Sequence, residues 1–394
     1  MTTICTRSSL PEDLVIEILL RLPVKSLLRF RIVCKQWHVI IKSPSFIRKH
    51  VYHWSNYTRL LVYYHANMPR KIPKVEFYDF TLFQDETLET YEEPPNLKLP
   101  GLIEALHGPC NGIFCVLSTS FKLALWNPAT RRMRGLPSPS KEFIVIDEIG
   151  FGIDPITDEF KIVLIIGHNC VCRLEPFYAV YTSSNDSWKY YKDEVHLNDH
   201  SIVSRSEYGT TFLNGFYYWK KYSIKTFSSV ILTFDMHNEV FRDIEMPEVV
   251  RSIPDGNLGT YNDSLALFSY DINAFDRRID IWVMKEKGCW MNLLTCVLPL
   301  KSFVPLGFWK GKQIFATTLV NSIMKLMMYD PDLHNIRNIR AEKREIVSTL
   351  KVWPVYYKES LVSIETDGIP DYDIQSEVIR KFLVRRWGPE FDPE

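Results

Sequence analysis

At 394 residues, with 46% hydrophobic and 24% charged side chains, the chain is long enough for two or three soluble domains and a large core. Lys plus Arg and Asp plus Glu stand at 47 each, a balance that speaks against a general nucleic-acid binder, whose basic groups concentrate on one face. No window is apolar enough to span a bilayer and the first residues lack the apolar core of a secretion signal, so no membrane association and a cytoplasmic location, with the nucleus also open, are expected.

Residues 1–7 are expected to be disordered. Residues 10–37, LPEDLVIEILLRLPVKSLLRFRIVCKQW, are the most informative stretch. Leu10, Leu14, Ile18 and Leu22 recur every four residues with Val15 and Leu19 beside them, so a helix here has a doubled apolar stripe. Pro11 suits the first helical position, and Glu12 and Asp13 suit the first turn, where the helix dipole favours carboxylates. Pro23 ends this helix. A second helical pattern, Val24 to Ile41, breaks near Cys34 to Gln36 and presents Leu27, Phe30, Val33, Cys34 and Trp37. Pro44 reads as a stop. One apolar set can pack the helices together, and the remainder needs a partner.

Leu10-Pro11, Glu17-Ile18-Leu19, Arg21-Leu22-Pro23, Ser26-Leu27, Arg29-Phe30 and Val33-Cys34-Lys35-Gln36-Trp37 together resemble the F-box. The resemblance implies a three-helix module over residues 8–50 that docks on a Skp-like adaptor and, through it, on the cullin and RING subunits of a ubiquitin ligase. Leu10, Pro11, Leu14, Ile18, Leu22, Pro23, Leu27, Phe30, Val33, Cys34 and Trp37 are the expected adaptor-binding set, some against the adaptor and some against each other. Arg29, Arg31 and Lys35 are placed to steer toward an acidic adaptor face.

Charge is uneven along the chain. Residues 1–50 hold nine Lys/Arg against three Asp/Glu, a net of +6, so residues 51–394 carry −6. Residues 75–97 contain seven carboxylates and no Lys or Arg. Such a run is commonly a solvated loop. Its functional reading, a substrate contact for a basic partner, centres on Asp85, Glu86, Glu89, Glu92 and Glu93.

Beyond residue 60 a strand–turn–strand unit recurs at 76–89, 123–137, 178–191, 231–247, 279–294 and 326–340. Its aromatic anchors Tyr78, Trp126, Tyr181, Phe234, Trp282 and Tyr329 are spaced by 48, 55, 53, 48 and 47 residues. Asp, Asn, Pro or Ser follow most anchors, as hairpin turns demand. Apolar segments at 108–117, 149–166, 210–219, 263–270, 305–318 and 350–364 alternate with these hairpins. The first hairpin lacks a segment before it and the last segment lacks a hairpin after it. A ring closed by both ends of the chain resolves both mismatches, so the expected fold is an α+β multi-domain chain ending in an all-β propeller of six blades. The expected boundaries are 8–50, 51–367 for the propeller and 368–394 for a tail.

Gly108-Pro109-Cys110-Asn111-Gly112, Leu125-Trp126-Asn127-Pro128-Ala129-Thr130-Arg131 and Gly150-Phe151-Gly152-Ile153-Asp154 resemble the kelch-like F-box-associated domain of plant F-box proteins, with Ile153 where an aromatic is usual. Gly307-Phe308-Trp309-Lys310-Gly311, Tyr329-Asp330-Pro331 and Tyr357 to Val362 are most similar to pollen S-locus F-box proteins. That resemblance implies recognition of basic, secreted S-ribonucleases in self-incompatibility. A related F-box receptor with an unrelated substrate, a non-degradative adaptor-bound scaffold, and a kelch-like enzyme or sugar-binding propeller are the alternatives.

No GxSxG, HExxH or P-loop is present, so no catalytic residue is expected. The eight cysteines form no CxxC and read as reduced, mostly buried residues, with no metal or cofactor.

Overall fold

The computed structural model describes residues 10–53, 59–67, 76–83, 87–89, 91–92, 103–118, 122–139, 146–166, 177–192, 202–203, 210–223, 226–253, 255–271, 278–297, 303–320, 323–339 and 348–364. The N-terminal residues 1–7 and the tail after 367 lie outside them. No helix among the described residues is long and apolar enough to cross a membrane.

The chain opens with helices α1 (Glu12–Leu20), α2 (Val24–Phe30) and α3 (Lys35–Lys42), followed by α4 (Pro44–His53). Pro11 and Pro23 each stand at the N-cap, one residue before the first helical position. The break between α2 and α3 falls over 31–34, slightly earlier than the sequence indicated, because extended Cys34 caps α3 and its Sγ accepts the Trp37 N–H at 3.5 Å. Pro44 starts a helix instead of stopping one. It occupies the first helical position of α4, where proline's missing N–H costs nothing, and Ser43 Oγ accepts the Phe46 N–H at 3.3 Å.

Six antiparallel sheets follow. Blade 1 runs Ile103–Cys110, Ile113–Ser118, Leu123–Asn127 and Arg132–Gly135. Blade 2 runs Ile146–Ile153, Phe160–Ile166, Phe177–Thr182 and Ser187–Lys192. Blade 3 starts with two collinear pieces, Ile202–Val203 and Thr210–Leu213, both paired to Phe216–Ser223, and continues with Ser228–Asp235 and Val240–Ile244. Blade 4 is Gly256–Tyr261, Ser264–Tyr270, Arg278–Glu286 and Cys289–Val297; blade 5 is Val304–Trp309, Gln313–Val320, Ile323–Asp330 and Asn335–Asn338. The sixth blade takes Ser348–Tyr357 from the end of the chain, pairs it with Arg59–Asn67, and continues with Glu76–Phe83 and Tyr91–Glu92. Ring closure by both ends is therefore observed. Besides α4, the strand Arg59–Asn67 has no counterpart among the expected segments, and the expected hairpin 76–89 is one strand whose partner begins only at Tyr91.

Side-chain alternation explains why the middle strands read as unbroken apolar runs. Successive residues of a strand point to opposite faces, and each blade has a neighbour on both. Ile162, Leu164 and Ile166 pack on blade 1, whereas Val163 and Ile165 pack on blade 3. Six apolar clusters result, one at each blade junction. The outer strands lack a second neighbour over much of their length, so Ser187–Lys192 is polar and mostly exposed.

The aromatic anchors are the ring's repeating bolts. Trp126 packs toward blade 6, Tyr181 toward blade 1, Phe234 toward blade 2, Trp282 toward blade 3 and Tyr329 toward blade 4. Each thus points back to the preceding blade, and the period near fifty is one blade. The side chain of Tyr78 lies outside the described residues.

Candidate functional site: the two ends of the ring

Strand direction separates the ring's ends. The first strand of every blade runs from what we call the far end to the near end. The near end carries tight turns such as Asn111-Gly112 and Asn214-Gly215, with Gly112 and Gly215 at φ +78° and +83°. Asn127, Asp235 and Asp330 each begin a near-end turn, and each side-chain oxygen accepts two backbone N–H groups. Connections between the second and third strands, and between blades, lie at the far end.

The helical unit is seated at the near end. Its core of Val15, Leu19, Leu20, Val24, Leu27, Ile40, Ile41 and Phe46 includes Leu361 of the propeller's last segment and touches Ala129 in a blade 1 turn. His50 of α4 is buried and its Nε2 donates to the Leu22 carbonyl at 2.9 Å; burial lowers its pKa. Arg48 pairs with Asp158 of blade 2 at 3.2 Å, both largely exposed.

Residues 358–364 form a strap between the two bodies. Leu361 enters the helical core, while Val362 and Ile364 pack against blades 1 and 2. Asn127 Nδ2 donates to the carbonyls of Ser360 and Val362 at 3.1 and 2.9 Å. Arg134 donates to the Ile364 carbonyl at 3.2 Å and pairs with Asp186. A Cβ at Gly112 would collide with the Lys358 carbonyl, so this position needs glycine for both space and φ.

The structure divides the eleven expected adaptor-binding residues into three groups, exposed, half-buried and buried. Leu10, Leu14 and Ile18 are 59%, 51% and 50% exposed; Leu14 and Ile18 lie one turn apart on α1, and Leu10 stands just before the helix. Pro11, Val33 and Cys34 are also exposed. Leu27 is fully buried in the unit's own core, so it supports the surface from beneath. Leu22, Pro23, Phe30 and Trp37 are half-buried, and the Phe30 and Trp37 rings are 5.3 Å apart. Ile32 and Val39, at 88% and 66% exposed, are further large aliphatics on the surface of this unit. Neither fits the four-residue repeat, although Ile32 directly precedes Val33 and Val39 lies two residues beyond Trp37. The exposed thiol of Cys34 also departs from the expectation of mostly buried cysteines; so does Cys289, while Cys110 and Cys115 are buried.

Of the acidic stretch, Asp85, Glu86 and Glu93 lie outside the described residues, as does the side chain of Glu92. Glu89 is exposed, on a near-end connection between Glu76–Phe83 and Tyr91–Glu92. It therefore shares an end of the ring with the helical unit.

Known proteins agree with this division. The F-box domain family matches residues 7–49, and the F-box associated beta propeller domain family matches residues 61–359. A putative F-box protein of Arabidopsis thaliana is 28% identical over 305 residues, covering 75% of each chain. A putative F-box/kelch-repeat protein of the same plant is 27% identical over 312 residues, covering 74% of this chain and 81% of that one. Among solved structures, TolB from Acinetobacter baumannii aligns with a TM-score of 0.46 at 11% identity, over 75% of this chain and 66% of that one. With one family model covering the helical unit and another covering the ring, the chain belongs to the F-box proteins that carry an F-box associated β-propeller domain.

Proposed function

We propose that this chain is the substrate-recognition subunit of an SCF-type ubiquitin ligase. The observation that carries this reading is the exposed apolar set of Leu10, Leu14 and Ile18, with Val33 and Cys34 also exposed between α2 and α3. These side chains sit on the same small unit whose core is already filled by Val15, Leu19, Leu27 and Ile41. Fully burying one large aliphatic contributes roughly 1.5–3 kcal/mol, so leaving several exposed is costly unless a partner covers them. A Skp-like adaptor, linked to cullin and RING subunits, is that partner. The propeller captures a protein substrate and needs no catalytic group, because the complex acts by holding a substrate lysine near a ubiquitin-charged enzyme.

Replacing Pro11 and Leu14 together by Ala tests the reading. Adaptor capture by the full chain is expected to fall at least ~10-fold, the size of a truncated hot spot, with thermal unfolding of the propeller unchanged. Undiminished capture would exclude the set as the adaptor contact. A scaffold that never degrades its partner would bind adaptor yet leave captured proteins unmodified in a reconstituted ubiquitination assay.

The finer reading is a pollen S-locus F-box protein that removes non-self S-ribonucleases. It is supported by the segments around Gly307-Phe308-Trp309 and Tyr329-Asp330-Pro331, and by the −6 balance of residues 51–394, which suits a basic substrate. The acidic residues Asp85, Glu86, Glu89, Glu92 and Glu93 belong to this proposal. Reversing their charge should weaken capture of a basic ribonuclease, and equal capture would remove them from it.

A further inference from the structure

The outer strands of the six blades are not alike. Cys289–Val297 of blade 4 has nine residues, CWMNLLTCV, and not one of them is charged. Each of the other five is shorter, six residues at most, and carries at least one Arg, Lys, Asp or Glu. Ser187–Lys192 holds Lys189 and Lys192, and Val240–Ile244 holds Arg242 and Asp243. Proteins discourage edge-to-edge pairing by keeping edge strands short or charged, with lysine the favoured residue. Five edges of this ring use both devices and blade 4 uses neither.

The strand's inward contacts are settled. Leu293, Leu294 and Cys296 pack into the junction with blade 5. Trp290 packs toward blade 3 and donates its Nε1–H to the Glu245 carbonyl at 2.8 Å. Thr295 Oγ1 accepts from Asn292 at 3.3 Å and donates to Asp280 at 2.6 Å. Its outward side is open. The strand pairs with Arg278–Glu286, and no strand pairs with its other edge among the described residues. Met291 and Val297 are 40% and 66% exposed. A bulge at Leu293 bends the strand, but its ladder is regular over Trp290–Asn292 and Leu294–Val297. What covers such an edge must offer an extended backbone, because the outward N–H and C=O groups are met only by another strand. It must also bring no charge, which would lose its water here without gaining a counter-ion. The same strand of a second copy satisfies both conditions.

We propose that Cys289–Val297 is a homodimer edge, at which two copies of the chain pair these strands antiparallel across a two-fold axis. Each contact then occurs twice, and the edge is used up at two copies, so assembly closes there. A ribbon this short buries less than a standard protein interface, so the dimer is weak and concentration-dependent. Blade 4 stands across the ring from blade 1, on which the helical unit is seated, so Leu10, Leu14 and Ile18 stay free in both copies.

The test takes the full chain through a concentration series in reducing buffer, so that the exposed thiols of Cys34 and Cys289 cannot cross-link copies. Sedimentation velocity should show the mass rising from one chain toward two and stopping there. Met291→Lys/Val297→Lys gives this edge the charge that the other outer strands already carry. It should weaken the dimer at least ~10-fold with thermal unfolding unchanged. A control, Tyr190→Lys on the outer strand of blade 2, should leave the dimer intact. Hydrogen exchange needs no variant, and decides the matter alone if the lysine pair disturbs folding. Amides of Cys289–Val297 should exchange more slowly as concentration rises, while those of Ser187–Lys192 do not change. A one-chain mass at every concentration, growth past two copies, a dimer that the lysine pair leaves undiminished, or protection at another edge instead would each overturn the proposal. So would protection of Cys289–Val297 that appears only when a different protein is added, which would assign the edge to a strand of that protein.

Discussion

Asn127 makes four side-chain hydrogen bonds in a fully buried position. Its Oδ1 accepts the N–H groups of Ala129 and Thr130, and its Nδ2 donates to Ser360 and Val362. The first pair makes the turn that sequence alone suggests for Asn-Pro. The second pair holds the strap, more than 230 residues away, and no local pattern announces it. Asn127→Ala should cost about 3 kcal/mol, since several buried groups lose their partner at once. Asn127→Asp keeps the turn but sets a carboxylate against two carbonyl oxygens, so it should destabilise at least as much. Thermal unfolding of both variants decides this, and a near-neutral Asp variant would show that the strap does not depend on these bonds. His107 gives a pH signature at the same scale. Its pKa is depressed by burial to about 4, against 6.5 for a free imidazole, so its contribution is complete above pH 6.5 and is lost as the pH falls toward 4. The loss is roughly 3 kcal/mol, and His50, shifted in the same direction by burial, adds to it from 6.5 downward. His107→Gln should therefore flatten, without abolishing, the fall in melting temperature between pH 6.5 and 4. An identical pH profile in that variant would refute the assignment.

Between elements, one buried ion cluster stands out. Lys161 of blade 2 is 5% exposed and reaches Asp154 of its own blade at 3.2 Å and Glu239 of blade 3 at 2.8 Å, while donating to the Met236 carbonyl at 2.7 Å. Burial alone would raise the pKa of Asp154, but the N–H groups of Ile156 and Thr157, with His237 and Lys161, outweigh it and hold the carboxyl at about 2. Lys161→Met would leave two carboxylates facing one another without their cation, a loss of roughly 3–5 kcal/mol. Asp154 and Glu239 should then titrate at higher pH, detectable by carboxyl NMR, whereas unmoved titrations would mean that the lysine is not their principal partner. The cluster also marks the limit of sequence reading for elements. The anchors Trp126, Tyr181, Phe234, Trp282 and Tyr329 were legible because each repeats once per blade and carries the packing of one junction. Arg59–Asn67 was not, because its pairing partner is the last strand of the chain and no hairpin turn advertises it. In the helical unit, the periodicity of α1 revealed its apolar residues but not their division. Leu14 and Leu19 look alike in sequence, and only packing with α4 and the strap decides that Leu19 is buried and Leu14 exposed.

At the scale of the whole molecule, the strap decides whether two domains behave as one body. Domains joined through a small polar interface move relative to each other by default. Here Leu361, only 1% exposed, is part of the helical unit's own core, while its neighbours Val362 and Ile364 belong to the junction of blades 1 and 2. The same seven residues therefore contribute to both cores. A receptor that holds a lysine near a charged enzyme gains rate in proportion to the effective concentration it imposes, and a loose joint spreads that concentration over a larger volume. Leu361→Asp places a carboxylate in the apolar seat, where an unpaired charge is strongly disfavoured. The exposed set of Leu10, Leu14 and Ile18 is untouched, so adaptor capture should persist, and the blades should unfold at nearly the same temperature. Small-angle X-ray scattering of the full chain should show a longer maximum dimension than the parent, as the helical unit leaves the near end of the ring. Ubiquitin transfer to a captured substrate should slow although capture itself is kept. If the variant scatters as the parent does and transfers ubiquitin equally fast, Leu361 is not what fixes the two bodies, and the Arg48–Asp158 pair with the Ala129 contact would have to hold the seat alone.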